Sequence, residues 1–453
     1  MIQIYNSLTR SKEEFAPIGD EVKIYVCGVT VYDDSHLGHA LSSIVFDVLT
    51  RYLEYRGFKV RKVQNFTDVD DKIINRARED GLSTEEVTEK YIQSFFQSID
   101  GLNVQRATVH PRATEDMPEI IELIRRLVDG GSAYASNGSV YYRVRDKSDY
   151  GKLSGQNIDE MLDNSRIEIE DGKEDPADFA LWKAVKPDEP QWDSPWGPGR
   201  PGWHIECSAM AFKHLGEQID IHGGGLDLIF PHHENEIAQS ESASGAVPFS
   251  KIWMHNGLLR TSGATMSKSL GNAFNVNSAL EEYSSDAIRL WILQSHYRTN
   301  PLLDKKLIER AERSMRRIRQ TVDIEPHDFG ESVDFRSYEQ RFIEAMDDDL
   351  NTPKAIASVF DLCREINRGR DNQMDVAAAV ETVRRLTSVL GLRLESPPQK
   401  TGLSDREIEA LVQARKDARA DKRWDEADTV RDQLAAAGIS ISDTGEDTVW
   451  SRD

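Results

Sequence analysis

The chain has 453 residues, with 56 Lys and Arg against 78 Asp and Glu, for a formal net charge of −22. That balance excludes a non-specific nucleic-acid coat, which needs a positive surface, while leaving room for a local basic stripe. Hydrophobic residues at 39%, with no apolar run of the ~18 residues a membrane helix needs, predict several folded domains and no membrane span.

Val22–Val29 (VKIYVCGV) is an apolar, β-rich run, and Leu41–Leu53 has helical periodicity, so the chain opens on a strand–turn–helix unit. Phe58–Phe66 alternates as a second strand would and Asp71–Asp80 returns to helix, which predicts a parallel α/β sheet. From 112 to 185 the rhythm breaks into a helix (Met117–Asp129), short strands (Ser139–Val144) and an acidic loop (Asp159–Asp178), read as an insertion. A strand Ile219–His222, a glycine turn Gly223–Gly225 and a helix starting near His232 resume the rhythm. Beyond 300 the spacing is purely helical, and Ser396–Lys400 reads as a linker. The expected parts are 1–115 and 186–255 as two halves of the sheet domain, 116–185 as the inserted subdomain, 256–300 as a loop-and-helix segment, 301–395 as a helical bundle and 401–453 as a small terminal domain.

Two motifs carry chemistry in this order. His36-Leu37-Gly38-His39 sits between the first strand and its helix, where unpaired backbone N–H groups favour an anion. Met266-Ser267-Lys268-Ser269-Leu270-Gly271-Asn272 places a lysine between hydroxyls in a polar loop suited to closing over phosphates. Together they resemble the H-I-G-H and K-M-S-K-S signatures of class I aminoacyl-tRNA synthetases, which bind ATP on a Rossmann-like sheet. Thr265 stands where the family has its first Lys, and Arg260 is the neighbouring cation that offers a substitute.

Cys27 ends the first strand, Cys207 follows Trp203-His204-Ile205-Glu206, and His232 and Glu236 are four apart, the spacing of one helix face. Two thiolates, an imidazole and a carboxylate suit Zn²⁺, with His233 as the alternative imidazole, whereas Cys363 reads as a packing residue in a helix. A zinc with room for one more ligand separates a thiol from an alcohol by chemistry more than by size. With the runs Tyr25–Asp33, Asn65–Lys72, Pro201–Ser208 and Phe230–Glu236, the chain resembles the cysteine-specific branch of that family from end to end.

The resemblance implies an α/β, Rossmann-like catalytic domain with an inserted connective subdomain, then a tRNA-binding helical bundle and a small anticodon-binding domain. It implies one Zn²⁺ on Cys27, Cys207, His232 and Glu236; a cysteine pocket at Thr67, Trp203, His222 and Asp227; and an ATP site with catalytic roles for His36, His39 and Lys268. ATP, accompanied by Mg²⁺, activates L-cysteine as an adenylate, and the cognate tRNA accepts it. For the tRNA backbone, residues 304–320 hold seven Lys and Arg against three acids. For the anticodon, Arg419, Trp424, Asp428 and Asp443 supply stacking and polar edges. The polar start Met1–Phe15 and the small cysteine count predict a cytoplasmic protein, expected to act as a monomer. Two other readings stand beside this one: a ligase joining cysteine to a small amine, and a non-catalytic zinc and RNA binder suggested by Thr265.

Overall fold

A computed structural model describes residues 1–160, 172–261, 264–265, 274–323, 330–394, 405–421, 423–437, 439–444 and 447–452. The segment Met266–Asn272, with Lys268, and the linker Ser396–Lys400 lie outside the described residues, as does most of the acidic loop. The chain divides into two compact units, Met1–Ser396 and Pro397–Asp453.

The first unit opens with the hairpin β1 (Gln3–Asn6) and β2 (Ser11–Glu14), then β3 (Glu21–Thr30), α1 (Leu37–Tyr55), β4 (Lys59–Thr67), α2 (Asp71–Asp80) and α3 (Thr84–Gly101). Next come α4 (Met117–Asp129) and the strands β5 (Ala133–Ser136), β6 (Ser139–Tyr142), β7 (Phe179–Ala184) and β8 (Gly199–Pro201), which pair in that order as an antiparallel sheet. The chain then returns through α5 (Trp203–Leu215), β9 (Ile219–Gly225), α6 (Glu234–Ser244) and β10 (Ser250–Asn256).

Strands β10, β9, β3 and β4 form a parallel sheet in that order. The first strand of the sheet is internal: the chain leaves β3 toward β4 on one side and later fills β9 and β10 on the other. A parallel sheet opens a crevice at the carboxyl ends of its strands where the order reverses, here between β3 and β9. Both faces are covered, so β3 alternates between two cores: Val22, Ile24 and Val26 pack in one, Tyr25 and Cys27 in the other. The glycine run expected as a turn instead continues β9, because Gly223–Gly225 stay paired with Met254–Asn256. A Cβ on Gly224 would meet the His233 ring at 2.9 Å, so the strand can run beneath that imidazole only without a side chain there.

The small ladder β11 (Arg260–Thr261) with β12 (Ala264–Thr265) leads to α7 (Val276–Glu282) and α8 (Ser285–Leu293). The helices α9 (Lys305–Val322), α10 (Arg336–Asp347), α11 (Thr352–Asp371) and α12 (Ala377–Val389) follow. They share one continuous core with the sheet face that carries α1. Cys363 is buried in α11, as a packing residue should be.

The second unit holds α13 (Asp405–Ala420), α14 (Trp424–Ala436) and the hairpin β13 (Ile439–Thr444) with β14 (Asp447–Arg452), around a core of Ile408, Val412, Leu434 and Ile439.

Candidate active site

The crevice at the carboxyl ends of β3, β9 and β10 is a cleft of about 530 Å³. Cys27 lines its floor, His36 and His39 one wall, and Trp203 and Asp227 another.

Cys27 reaches this floor through an irregularity in β3, where pairing with β4 shifts between Val26 and Val29. Gly28 makes the shift possible: its N–H donates to Asn65 Oδ1 at 2.8 Å, and a Cβ there would lie 1.6 Å from the Asn65 carbonyl oxygen. Cys207 comes from α5, one turn after Trp203, so a single helix face carries Trp203 at the cleft mouth, 38% exposed, and the buried Cys207 beneath it. His232 precedes α6 in one irregular turn, Ile229–His233, in which Phe230 leaves helical geometry. Even so, its Nε2 lies 3.1 Å from Glu236 Oε1, the contact that the four-residue spacing predicts.

The four groups converge. Cys27 Sγ is 3.7 Å from Cys207 Sγ and 3.3 Å from Glu236 Oε1, and all four donor atoms lie within 4.8 Å of one another, each residue buried. A second quartet, Cys27, His222, His233 and Glu236, meets the same limit. Two thiols favour the first set for a thiophilic ion. Burial, with Cys207 and Glu236 beside it, pushes the Cys27 thiol well above its ordinary range. The hydrogen bond from Cys27 lowers Cys207, but burial and the neighbouring carboxylates leave it raised as well. Glu236 stays below the usual carboxylate range: burial raises it, and His222 and His232 more than offset that. Two thiols and a carboxylate packed this tightly away from water fit a bound cation, which displaces the thiol protons.

Four histidines surround the cluster's own His232. His204 Nδ1 lies 2.9 Å from His232 Nδ1, which leaves His232 Nε2 toward Glu236. His222 Nε2 lies 2.9 Å from Glu236 Oε2. His233 Nε2 lies 3.3 Å from Cys27 Sγ, and its Nδ1 is 2.7 Å from His255 Nε2. Burial lowers His204, His232 and His255 to about 3, so these rings are neutral at physiological pH.

At the other wall, His36 is the N-cap of α1. Its Nδ1 accepts from the N–H groups of Gly38 at 3.1 Å and His39 at 3.3 Å, and His39 Nδ1 accepts from the His36 N–H at 3.3 Å. The two rings stack with centroids 3.8 Å apart. Each neutral ring, accepting through Nδ1, carries its proton on Nε2, a donor suited to a phosphate oxygen. The pair therefore closes the helix start and equips it for an anion with the same two side chains.

Of the expected cysteine pocket, Trp203 and Asp227 line the cleft, and Trp203 stacks on His232 with centroids 4.2 Å apart. Thr67 and His222 are buried behind it, His222 against Glu236. Arg260 pairs in register with Thr265, and its Nε donates to the Asn300 carbonyl at 3.2 Å. Within 304–320, Arg319 is not part of the exposed stripe: it is buried beside Glu312 and Asp286, because it falls on the core side of α9 with Met315 and Val322. In the second unit Trp424 is 57% exposed, Arg419 is exposed, Asp428 pairs with Arg431, and Asp443 lies on β13.

Sequence reasoning missed the groups that hold α6. The buried Glu234 accepts backbone N–H bonds from Gly151 at 2.9 Å, Leu153 at 3.2 Å and Ser154 at 2.8 Å, and Glu241 pairs with Lys147 and Lys152. The inserted segment thus clasps the helix that carries Glu236. The acids in Glu234-Asn235-Glu236 were the available signal.

Comparison with known proteins agrees with this geometry. The family described as tRNA synthetases class I (C) catalytic domain matches residues 14–330. The DALR domain matches residues 341–395, and the cysteinyl-tRNA ligase anticodon binding domain matches 402–450. A cysteine–tRNA ligase of Dehalococcoides mccartyi is 48% identical over 453 residues, covering 99% of each chain. One from Caldicellulosiruptor saccharolyticus is 47% identical over 465 residues, covering 100% of each. In fold, the chain resembles Mycobacterium tuberculosis methionyl-tRNA synthetase in complex with methionyl-adenylate, with a TM-score of 0.60 at 14% identity, covering 83% of this chain and 90% of that one. With a catalytic-domain match over most of its length and relatives of this identity from end to end, the chain belongs to the cysteine–tRNA ligases of the class I aminoacyl-tRNA synthetase family.

Proposed function

We propose that the chain activates L-cysteine with ATP and transfers it to its cognate tRNA, with Zn²⁺ held by Cys27, Cys207, His232 and Glu236. The observation that carries this reading is the buried quartet at the floor of a cleft whose wall is the paired-histidine start of α1. Zinc, when bound, supplies a coordination bond to the substrate sulfur, which serine offers poorly. The protein's own residues do the rest. Trp203 covers the floor and limits the size of the side chain admitted, and Asp227 offers a carboxylate to the substrate ammonium.

The Nε2–H groups of His36 and His39, with the amino end of α1, stabilise charge on the phosphates while the cysteine carboxylate attacks the α-phosphorus and pyrophosphate leaves. Lys268 adds a charge there, and Mg²⁺ accompanies ATP. A terminal ribose hydroxyl of the tRNA then attacks the adenylate carbonyl and releases AMP. Arg419, Trp424, Asp428 and Asp443 are the proposed anticodon contacts, and the chain acts as a monomer.

A ligase using a small amine has no use for the anticodon-binding match at 402–450, which counts against that alternative. Cysteine-dependent exchange of pyrophosphate into ATP tests the reading. Exchange with cysteine and not with serine is expected; its complete absence in zinc-loaded protein would sink it.

A further inference from the structure

Tyr25 sits at the centre of the parallel sheet, paired in register with Val63 of β4 and His222 of β9. It precedes Cys27 by two residues on β3, so both side chains leave the same face of the strand and enter one core with Cys207. Its ring is fully buried and lies 5.1 Å from the His222 ring, centroid to centroid. Packing asks only for an aromatic ring at this position, which phenylalanine would supply. The hydroxyl is the anomaly, because its oxygen is buried with no well-formed hydrogen bond among the described residues. Taking a hydroxyl out of water unpaired opposes folding, so a buried orphan of this kind needs a reason.

The groups brought to that oxygen supply one. The Cys207 sulfur is within hydrogen-bonding reach of it, and Cys27 and Glu236 act on it through their charges. All three belong to the quartet with His232 at the floor of the cleft. As thiols, Cys27 donates to Cys207 with the sulfurs 3.7 Å apart, and a neutral sulfur is a weak acceptor for anything else. A metal-bound cysteine is different: its proton is gone, its sulfur carries charge, and a hydrogen bond to a charged acceptor is about twice as strong.

We propose that Tyr25 is a positioning residue for the metal, its hydroxyl donating a hydrogen bond to the Cys207 sulfur when that sulfur is a metal-bound thiolate. This deepens the zinc site of the proposed function and rests on it. The bond fixes the direction of the thiolate and draws charge from it. The cation is thereby left with more pull on an incoming substrate sulfur. The unpaired hydroxyl is thus built for the loaded state, and its partner is made by the loading.

Full-length Tyr25→Phe is compared with the parent in zinc affinity, by competition with a chelator, and in the absorption of the Co²⁺-substituted protein. A roughly tenfold rise in zinc Kd is expected. The sulfur-to-cobalt charge-transfer band should move to longer wavelength, because no donor then holds down the energy of the sulfur lone pairs. Stripped of metal, the variant should melt no lower than the parent, since it loses only an unpaired hydroxyl. A purely structural role would lower the melting of both forms alike and leave the band in place. A zinc Kd within about twofold of the parent, with an unmoved band, overturns the proposal. If the variant melts early, the band decides alone, since it is read on folded, loaded protein. A parent that takes up neither zinc nor Co²⁺ rejects the metal site and the role of Tyr25 with it. A parent that shows both Tyr25 effects yet exchanges no pyrophosphate with cysteine rejects the proposed function and leaves this hydrogen bond standing.

Discussion

At the scale of single residues, the proposed metal site turns on which donors are indispensable. Cys207→Ser should abolish zinc retention, measured as metal per chain after gel filtration, with the far-ultraviolet spectrum unchanged. His232→Asn should do the same and His233→Asn should keep the metal; the reverse pattern would place the ion in the quartet built on His222 and His233. Gly28→Ala should cost about 1–3 kcal/mol or more in denaturant unfolding, because its methyl would overlap the Asn65 carbonyl. Much of this site was legible in the sequence, since Cys27, Cys207, His232 and Glu236 stand in long runs shared with a family. What was not legible is depth: Thr67 stands in one of these runs and His222 ends the strand Ile219–His222, yet both are buried and neither lines the cleft. Nor can spacing reveal that His36 and His39 cap each other's backbone, because reciprocal acceptance through Nδ1 depends on two side-chain rotations.

At the scale of elements, α6 shows how the insertion serves the site. Glu234→Ala should leave three N–H groups of the 151–154 segment without their acceptor, a loss of about 3 kcal/mol or more, and should weaken zinc retention without touching a ligand. Glu234→Ala protein that matches the parent in both melting and metal content would contradict the clasp. The alternation of strand and helix through 22–80 was readable because each element there follows its own period and is buried on a consistent side. The glycine run of β9 was not, because glycine signals a turn or a close approach equally well, and only the neighbouring Phe46 and His233 rings decide. Arg319 was miscounted with the exposed cations for a related reason: charge alone does not tell which face of α9 a residue occupies.

At the scale of the whole molecule, one buried ion pair joins the catalytic sheet to the bundle. Arg289 of α8 is fully buried, bonded to Asp47 of α1 and donating to the carbonyls of Leu390 at 2.9 Å, Leu102 at 3.1 Å and Asn103 at 3.2 Å. Burial alone would raise the Asp47 carboxyl, but Arg289, with Arg51 and Lys62, holds it below its usual range. Since the folded value lies below the unfolded one of about 3.9, the unfolded chain binds the extra proton. The pair's contribution is therefore complete above that pH and is lost as pH falls through the folded value. Asp47→Asn, which strands a buried guanidinium, should cost about 3–5 kcal/mol near neutrality and flatten the acid limb of the stability curve. An acid limb as steep as the parent's would remove Asp47 from that role.

The continuous core from Ile2 to Leu392 carries a kinetic consequence. A bundle whose apolar side chains interleave with those of the sheet has no private opening route, so its deepest amides should exchange with deuterium at the same slow rate as those of β3, by global unfolding. The segment from 405 to 452, resting on Ile408, Val412, Leu434 and Ile439, should exchange orders of magnitude sooner. Limited proteolysis should accordingly release the last fifty or so residues and leave a single resistant body, never a bundle separated from its sheet.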